Sequence, residues 1–273
     1  MGGELFDRYP EMTAEAGSVL GYSIKELCVD DPRGELGLTQ FTQPALFIVN
    51  ALTYRARIDD GGAAPDFVAG HSLGEYNALL AAGCFDFATG VALVKERGAL
   101  MGRVSGGGMS AVIGLEPEQI QSALQESAEG RNVDVANFNS FEQTVIAGPK
   151  DDLAAVKPAL EAAGARMVVP LNVSAPFHSR YMRDAQREFE GFLQGFEFRA
   201  PAIPVISNVR ARPYEADMVR GTLAEQIGNS VRWLDSMLYL MEKPEPIFEE
   251  VGPGQVLSKL LKQIQKRATS RER

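Results

Sequence analysis

The stretch DFVAGHSLGEYNALLAAG, residues 66–83, sets a serine between two glycines where one hydrophobic pattern gives way to another. Ahead of it, PDFVAG reads as a short buried strand, and behind it EYNALLAAG has the spacing of a helix that Gly83 stops. Gly70 to Gly74 therefore form a G-x-S-x-G turn between strand and helix, the sharp elbow that strains the backbone of Ser72 and exposes its oxygen. Small flanking residues are expected because neighbouring backbone crowds such a turn. The following helix aims its N-terminal dipole and free N–H groups at that oxygen, and the Leu73 N–H is a candidate oxyanion donor.

The surrounding chain predicts an α/β fold. TQPALFIVNALTYRARI, from Thr42, carries a threonine N-cap, a proline in its first turn and apolar residues nearly all round, as a core helix does. FDFATGVALVKERGALMGRV reads as a second, longer helix, and strands alternating with such helices imply a parallel sheet covered on both faces. After SGGGMS the order becomes strand, helix, strand, strand, helix, strand, from MSAVIGL to RMVVPLN. That βαββαβ order is a ferredoxin-like unit, placed at 108–172 as an insertion into a larger domain of 1–107 and 173–273. Gly106 to Gly108 lack the spacing and Lys-Ser/Thr of a phosphate loop and read as a flexible crossing. Beyond the insertion, HSRYMRDAQREFEGFLQGF reads as a helix and IPVISN as a strand, while EPIFEEVGPGQVLSKLLKQI reads as a strand, a turn and a last helix.

Composition excludes several classes. The chain has 273 residues, 45% hydrophobic and 23% charged, as a soluble globular protein has. No run approaches the roughly 20 apolar residues of a membrane helix, and MGGELFDRYPEM is no signal peptide, so a cytoplasmic protein is expected. A net charge of −9 argues against nucleic acid as partner. Two cysteines and two histidines supply neither a disulfide framework nor a metal site. Lys259, Lys262, Lys266 and Arg267 recur at helical spacing, either as a solvated face or as a docking patch for an acidic partner.

A serine hydroxyl needs a base, and only His71 and His178 are available. His71 is adjacent to Ser72, where side chains diverge, and is expected to pack beside the site or bond locally. His178, in SAPFHSRYM, is left as the base, at the start of a helix whose dipole would lower its pKa and keep it neutral.

GHSLGEYNALLAAG, KERGALM, VSAPFHSRYM, NSVRW and EVGPGQVLSKL together resemble the malonyl-CoA:acyl carrier protein transacylase family, with LGEYNAL and FHSRYM nearest to the discrete acyltransferases that load polyketide synthases in trans. The resemblance runs over essentially the whole chain. It implies an α/β-hydrolase-like large subdomain with a ferredoxin-like insertion, and a monomer with no bound cofactor or metal. It makes Ser72 the acyl-accepting nucleophile and His178 its base, oriented by the backbone carbonyl of Gln226. Arg97 of KERG, by spacing alone a surface charge on an amphipathic helix, becomes the partner of the malonyl carboxylate. Gln43 falls in the segment lining the acyl pocket, with His71 beside it, and Phe177 resembles the ring that crowds an α-methyl branch.

The implied reaction is ping-pong. Malonyl-CoA acylates Ser72, coenzyme A leaves, and the phosphopantetheine thiol of an acyl carrier protein takes the acyl group. Family members begin with a strand and a turn of the form FPGQGSQ, whereas this chain starts at MGGELFDRYP. By the resemblance, that turn supplies a second oxyanion N–H, whose loss would cost about 10²–10³ in rate. An acyl hydrolase that clears carrier proteins shares the elbow and base but has no use for Arg97. A non-catalytic binding module would account for the start but not for Ser72, His178 and Arg97 together.

Overall fold

The computed structural model describes residues 1–271. Three short helices come first: α1 (Gly3–Arg8), α2 (Pro10–Leu20) and α3 (Ile24–Val29), the last capped by Ser23, whose side chain accepts from the Glu26 N–H. The first and third pack on α4 (Thr39–Asp59), whose Phe47, Ile48, Val49 and Leu52 are buried, while α2 lies chiefly against the helix at Phe87–Arg103. Each such side chain taken fully out of water contributes about 1.5–3 kcal/mol, so α4 is a pillar of the core. It starts earlier than the sequence predicts. Leu38 is the cap, and its carbonyl already accepts the N–H groups of Phe41 and Thr42, so Thr42 lies in the first turn and Pro44 inside the helix.

Strand β1 (Val68–Ala69) runs through the elbow into α5 (Gly74–Ala81), and Asp86 caps α6 (Phe87–Arg103) by accepting from the Thr89 N–H. Tyr76 and Leu79 of α5 meet Val91, Leu93 and Val94 of α6 in the same core as α4.

The chain then forms the four-stranded sheet of β2 (Gly107–Ile113), β3 (Asp134–Ser140), β4 (Gln143–Pro149) and β5 (Met167–Pro170), with α7 (Pro117–Glu126) and α8 (Lys150–Ala162) on one face. The order β3-β4-β2-β5, with every pair antiparallel, is the ferredoxin-like arrangement. Period-two alternation decides the faces. Val112, Val135, Ile146 and Val168 pack on the helices, while Met109, Ala111, Ala136, Val145 and Ala147 form the other face, against Val173 and Phe177. Gly107 and Gly108 belong to β2 and are no flexible crossing; a Cβ on Gly107 would lie 2.6 Å from Pro176 Cγ, so the strand needs a glycine to pass there.

The chain returns through α9 (Arg183–Leu193), β6 (Val205–Ile206), α10 (Val219–Gly228), α11 (Trp233–Met241) and α12 (Val256–Arg271). β6 lies parallel to β1, with Val68 opposite Val205 and Ala69 opposite Ile206. The broad parallel sheet expected from the sequence is thus a pair of two-residue strands among the described residues, and helices do most of the packing around it. No strand forms at 245–251: Pro244 and Pro246 withhold ladder N–H groups, Glu245 has φ 45°, and Ile247 is almost fully exposed. Residues 213–243, left without elements by the sequence, supply α10 and α11. Among the described residues no helix is long and apolar enough to cross a membrane, and no cluster of His, Cys, Asp or Glu could hold a metal ion.

Candidate active site

The elbow is as tight as its glycine pattern predicts, on one side only. A Cβ on Gly70 would fall 2.0 Å from the Gly74 carbonyl group, whereas one on Gly74 would meet open space, so the crowding falls on Gly70. Ser72 has φ 51°, in the left-handed region that disfavours a side chain. Asn208, just beyond β6, holds it there: its Oδ1 accepts from the Ser72 N–H at 2.7 Å and its Nδ2 donates to the Gly70 carbonyl at 2.7 Å. The parallel β1–β6 pair thereby carries a clamp across the turn. The Leu73 N–H, one residue on, meets no acceptor among the described residues.

His178 completes the nucleophile. Its Nε2 is 2.7 Å from Ser72 Oγ and its Nδ1 is 2.9 Å from the Gln226 carbonyl. A carbonyl can only accept, so Nδ1 carries the proton and Nε2 is free to take one from the serine. The residue is buried, and burial together with the nearby Arg97 charge pushes its pKa down to about 3. A helix start is not the cause. A short 3₁₀ turn at Arg180–Met182 intervenes, and α9 begins five residues after His178.

Arg97 is no surface charge. It projects from α6 with 1% exposure, its Nη1 donating to Gln43 Oε1 at 2.6 Å and its Nη2 to Gln226 Oε1 at 2.9 Å and Ser72 Oγ at 3.1 Å. The Tyr76 ring lies 5.3 Å beneath the guanidinium, and Nε has no partner. Among the described residues Arg97 forms no ion pair, so a buried cation beside the serine oxygen is held by neutral amide oxygens alone. That arrangement suits an incoming carboxylate.

The other predicted residues divide. Gln43 and Gln226 meet at Arg97. Phe177, half-buried, packs between the small sheet and the main core. His71 turns away: its Nε2 is 2.8 Å from Asn139 Oδ1 on β3, and its ring lies against Trp233, so it ties the elbow to the small sheet rather than bonding locally. Burial lowers its pKa too. Sequence reasoning missed Asn208, the Gln226 side chain, Glu75 and Tyr214, which form one buried network under the elbow. Only Glu75 carried a local signal, and an acid in a first helical turn is ordinary.

A groove of about 1070 Å³ between α9 and the four-stranded sheet with its α7 reaches His178 and is lined by Arg131, Arg180, Arg183 and Arg187. Lys259, Lys262 and Lys266 are exposed on α12, and Arg267 approaches Glu116 at 3.5 Å.

Residues 9–272 match the acyl transferase domain family. The chain is 53% identical over 274 aligned residues to the polyketide biosynthesis malonyl CoA-acyl carrier protein transacylase PksC of Bacillus subtilis, covering 100% of this chain and 95% of that one. Among solved structures, a malonyl CoA-acyl carrier protein transacylase from Burkholderia pseudomallei superposes with a TM-score of 0.94 at 50% identity, covering 98% of this chain and 93% of that one. A malonyl-transacylase solved in complex with its type II polyketide synthase acyl-carrier protein superposes with a TM-score of 0.91 at 39% identity, covering 96% and 87%.

Proposed function

We infer, from the premise that this chain belongs to the acyl transferase domain family, that it is a malonyl-CoA:acyl carrier protein transacylase supplying polyketide or fatty acid biosynthesis. The observation that carries the malonyl group into this reading is Arg97, a buried guanidinium 3.1 Å from Ser72 Oγ with no carboxylate of its own.

The first half-reaction begins with Ser72 Oγ attacking the thioester carbonyl as His178 Nε2 takes its proton. The Gln226 carbonyl keeps the Nδ1 proton in place and stabilises the imidazolium without being a base itself. The Leu73 N–H faces the developing oxyanion. As the C–S bond breaks, the proton passes from His178 to the coenzyme A thiolate, leaving malonyl-Ser72. In the second half-reaction the carrier's phosphopantetheine thiol gives its proton to His178 and attacks the ester, and the proton returns to Ser72 Oγ. Arg97 holds the distal carboxylate through both steps, and in doing so has its charge neutralised beside His178, which strengthens the base when a malonyl group is bound. Gln43 steadies Arg97 from the acyl side, His71 fixes the rim of the pocket through Asn139, and Phe177 limits the space at the α-carbon.

We assign 108–172 as the small subdomain, supported by a sheet whose ladder spans 108–170 and extends one residue beyond that bound to Gly107, and 1–107 with 173–273 as the large one. A cytoplasmic location fits two buried cysteines that are both free. The test is intact-protein mass spectrometry after brief incubation with malonyl-CoA. A malonyl adduct that disappears in Ser72→Ala and is removed by a holo carrier protein is expected. An adduct lost to water as fast as to the carrier identifies a hydrolase and overturns the reading.

A further inference from the structure

Glu75 is a carboxylate with no exposure, three residues beyond Ser72, and the reaction above does not touch it. A carboxylate can only accept hydrogen bonds. Its Oε1 takes the Asn208 N–H at 2.9 Å and the Tyr214 hydroxyl at 2.7 Å, and its Oε2 takes Gln226 Nε2 at 2.7 Å. The second donor capacity of Gln226 Nε2 goes to the Ser72 carbonyl at 2.7 Å, which leaves Gln226 Oε1 facing Arg97 Nη2 at 2.9 Å. A flipped amide would set NH₂ against the guanidinium and oxygen against the carboxylate. Glu75 therefore decides which end of Gln226 Arg97 meets. It forms no ion pair with Arg97, and a neutral amide stands between the two charges.

We propose, on the malonyl-transfer reading above, that Glu75 is a positioning residue for acyl selection. Through Gln226 it orients the Arg97 guanidinium, and it supplies a counter-charge one residue away, so that direct contact is left to the carboxylate of the substrate. Placing the counter-charge in contact would close the site to malonyl groups; omitting it would leave the buried cation without compensation.

Burial pushes the Glu75 carboxyl up to about 7, against the pull of its three donors and of Arg97, so the native protein can itself be titrated. Its ionisable and polar neighbours are Tyr214 and Asn208 beyond β6, Gln226 of α10, Arg97 of α6 and Tyr76 of α5. Both tyrosines are pushed above their ordinary range and His178 far below its own, so none of these changes charge near neutrality.

The experiment compares malonyl-CoA with acetyl-CoA as donors for acylation of Ser72. In Glu75→Gln the malonyl-over-acetyl ratio of kcat/KM falls by about tenfold or more, chiefly through the KM for malonyl-CoA. The exchange Glu75→Gln with Gln226→Glu keeps one amide and one carboxylate in the same place but sets the charge on Arg97, and the ratio falls further. A purely structural Glu75 predicts parallel losses with both donors in the single variant and recovery in the exchange; either result overturns the proposal. Should neither variant fold, the native protein decides: the ratio declines as the raised Glu75 carboxyl is protonated on lowering the pH, and a ratio level from about pH 8 down to about 5 overturns it. The coenzyme A phosphates are common to both donors and cancel. Absence of any malonyl adduct on the native chain would instead fail the function itself, a separate outcome.

Discussion

Arg97→Ala is the substitution whose consequence the structure defines most closely. The side chain is buried and its two terminal nitrogens rest on Gln43, Gln226 and Ser72, with no acid among the contacts. A malonyl carboxylate entering this site gains a desolvated, charge-assisted pair, and removing one partner of such a pair costs about 3–5 kcal/mol. At about 1.4 kcal/mol per factor of ten, kcat/KM for malonyl-CoA falls by about two to three and a half powers of ten. Acetyl-CoA has no carboxylate to lose. Both donors share the cavity and the unpaired oxygens left on Gln43 and Gln226, and both share the relief of His178 from a neighbouring cation, so these effects cancel in the ratio. The assay is a single-turnover competition of malonyl-CoA against acetyl-CoA, with the two adducts on Ser72 weighed in one intact-mass spectrum. The malonyl-to-acetyl ratio should drop by roughly two to three and a half powers of ten, with Arg97→Lys falling between, because an ammonium keeps the charge but lacks the planar fork that holds a carboxylate through two parallel N–H groups. Equal losses for the two donors would refute the assignment of Arg97 and return it to a purely structural role.

Further outcomes follow from the same geometry. His178→Ala should lower the acylation rate by about 10²–10⁴ with the fold intact by circular dichroism, and retention of the full rate would remove it as base. With acetyl-CoA, which does not engage Arg97, kcat/KM should show no histidine inflection between about pH 5 and 8, since burial and Arg97 hold His178 at about 3; an inflection near the ordinary histidine value of about 6.5 that persists in Glu75→Gln would contradict that environment. Phe177→Ser should raise acylation by methylmalonyl-CoA relative to malonyl-CoA by about tenfold or more, and an unchanged ratio would show that the ring does not border the α-carbon.

The fold was legible where local pattern and tertiary role coincide. The small sheet is the clearest case, because period-two alternation in β2, β3 and β4 is the packing itself: Met109 and Ala111 on one face, Val112 on the other. Parallel pairing offers no such handle. β1 and β6 are two residues long and lie far apart in the chain, so their apolar content predicts burial, which β6 has and β1 reaches only by half, and says nothing of how many neighbours they have. The N-terminal helices show the reverse failure. Ser23 and Glu26 give a capping signal for α3, yet six-residue helices have too few turns for periodicity to register. At 245–251 the apolar residues suggested a strand, and the two prolines that forbid it were the stronger evidence.

For the site, the sequence exposes residues whose chemistry is rare and hides those whose chemistry is common. Ser72 stood out by its glycines and His178 by elimination, because a chain with two histidines leaves little choice. Arg97 could not be separated from a surface arginine by spacing, since α6 is amphipathic and only burial shows which side it faces. Asn208, Tyr214, Glu75 and the side chain of Gln226 were invisible for a different reason. Each is an ordinary polar residue, and what distinguishes them is mutual: acceptor meets donor at 2.7–2.9 Å beneath the elbow. Such a network is a property of pairs distant in sequence, Glu75 with Tyr214 and Ser72 with Gln226 among them. It also explains why the elbow tolerates a left-handed serine. The strain at Ser72 is met by Asn208 at its N–H and Gln226 at its carbonyl, and Gln226, which helps hold the nucleophile in an unfavourable conformation, is also the residue that connects it to Arg97 and His178.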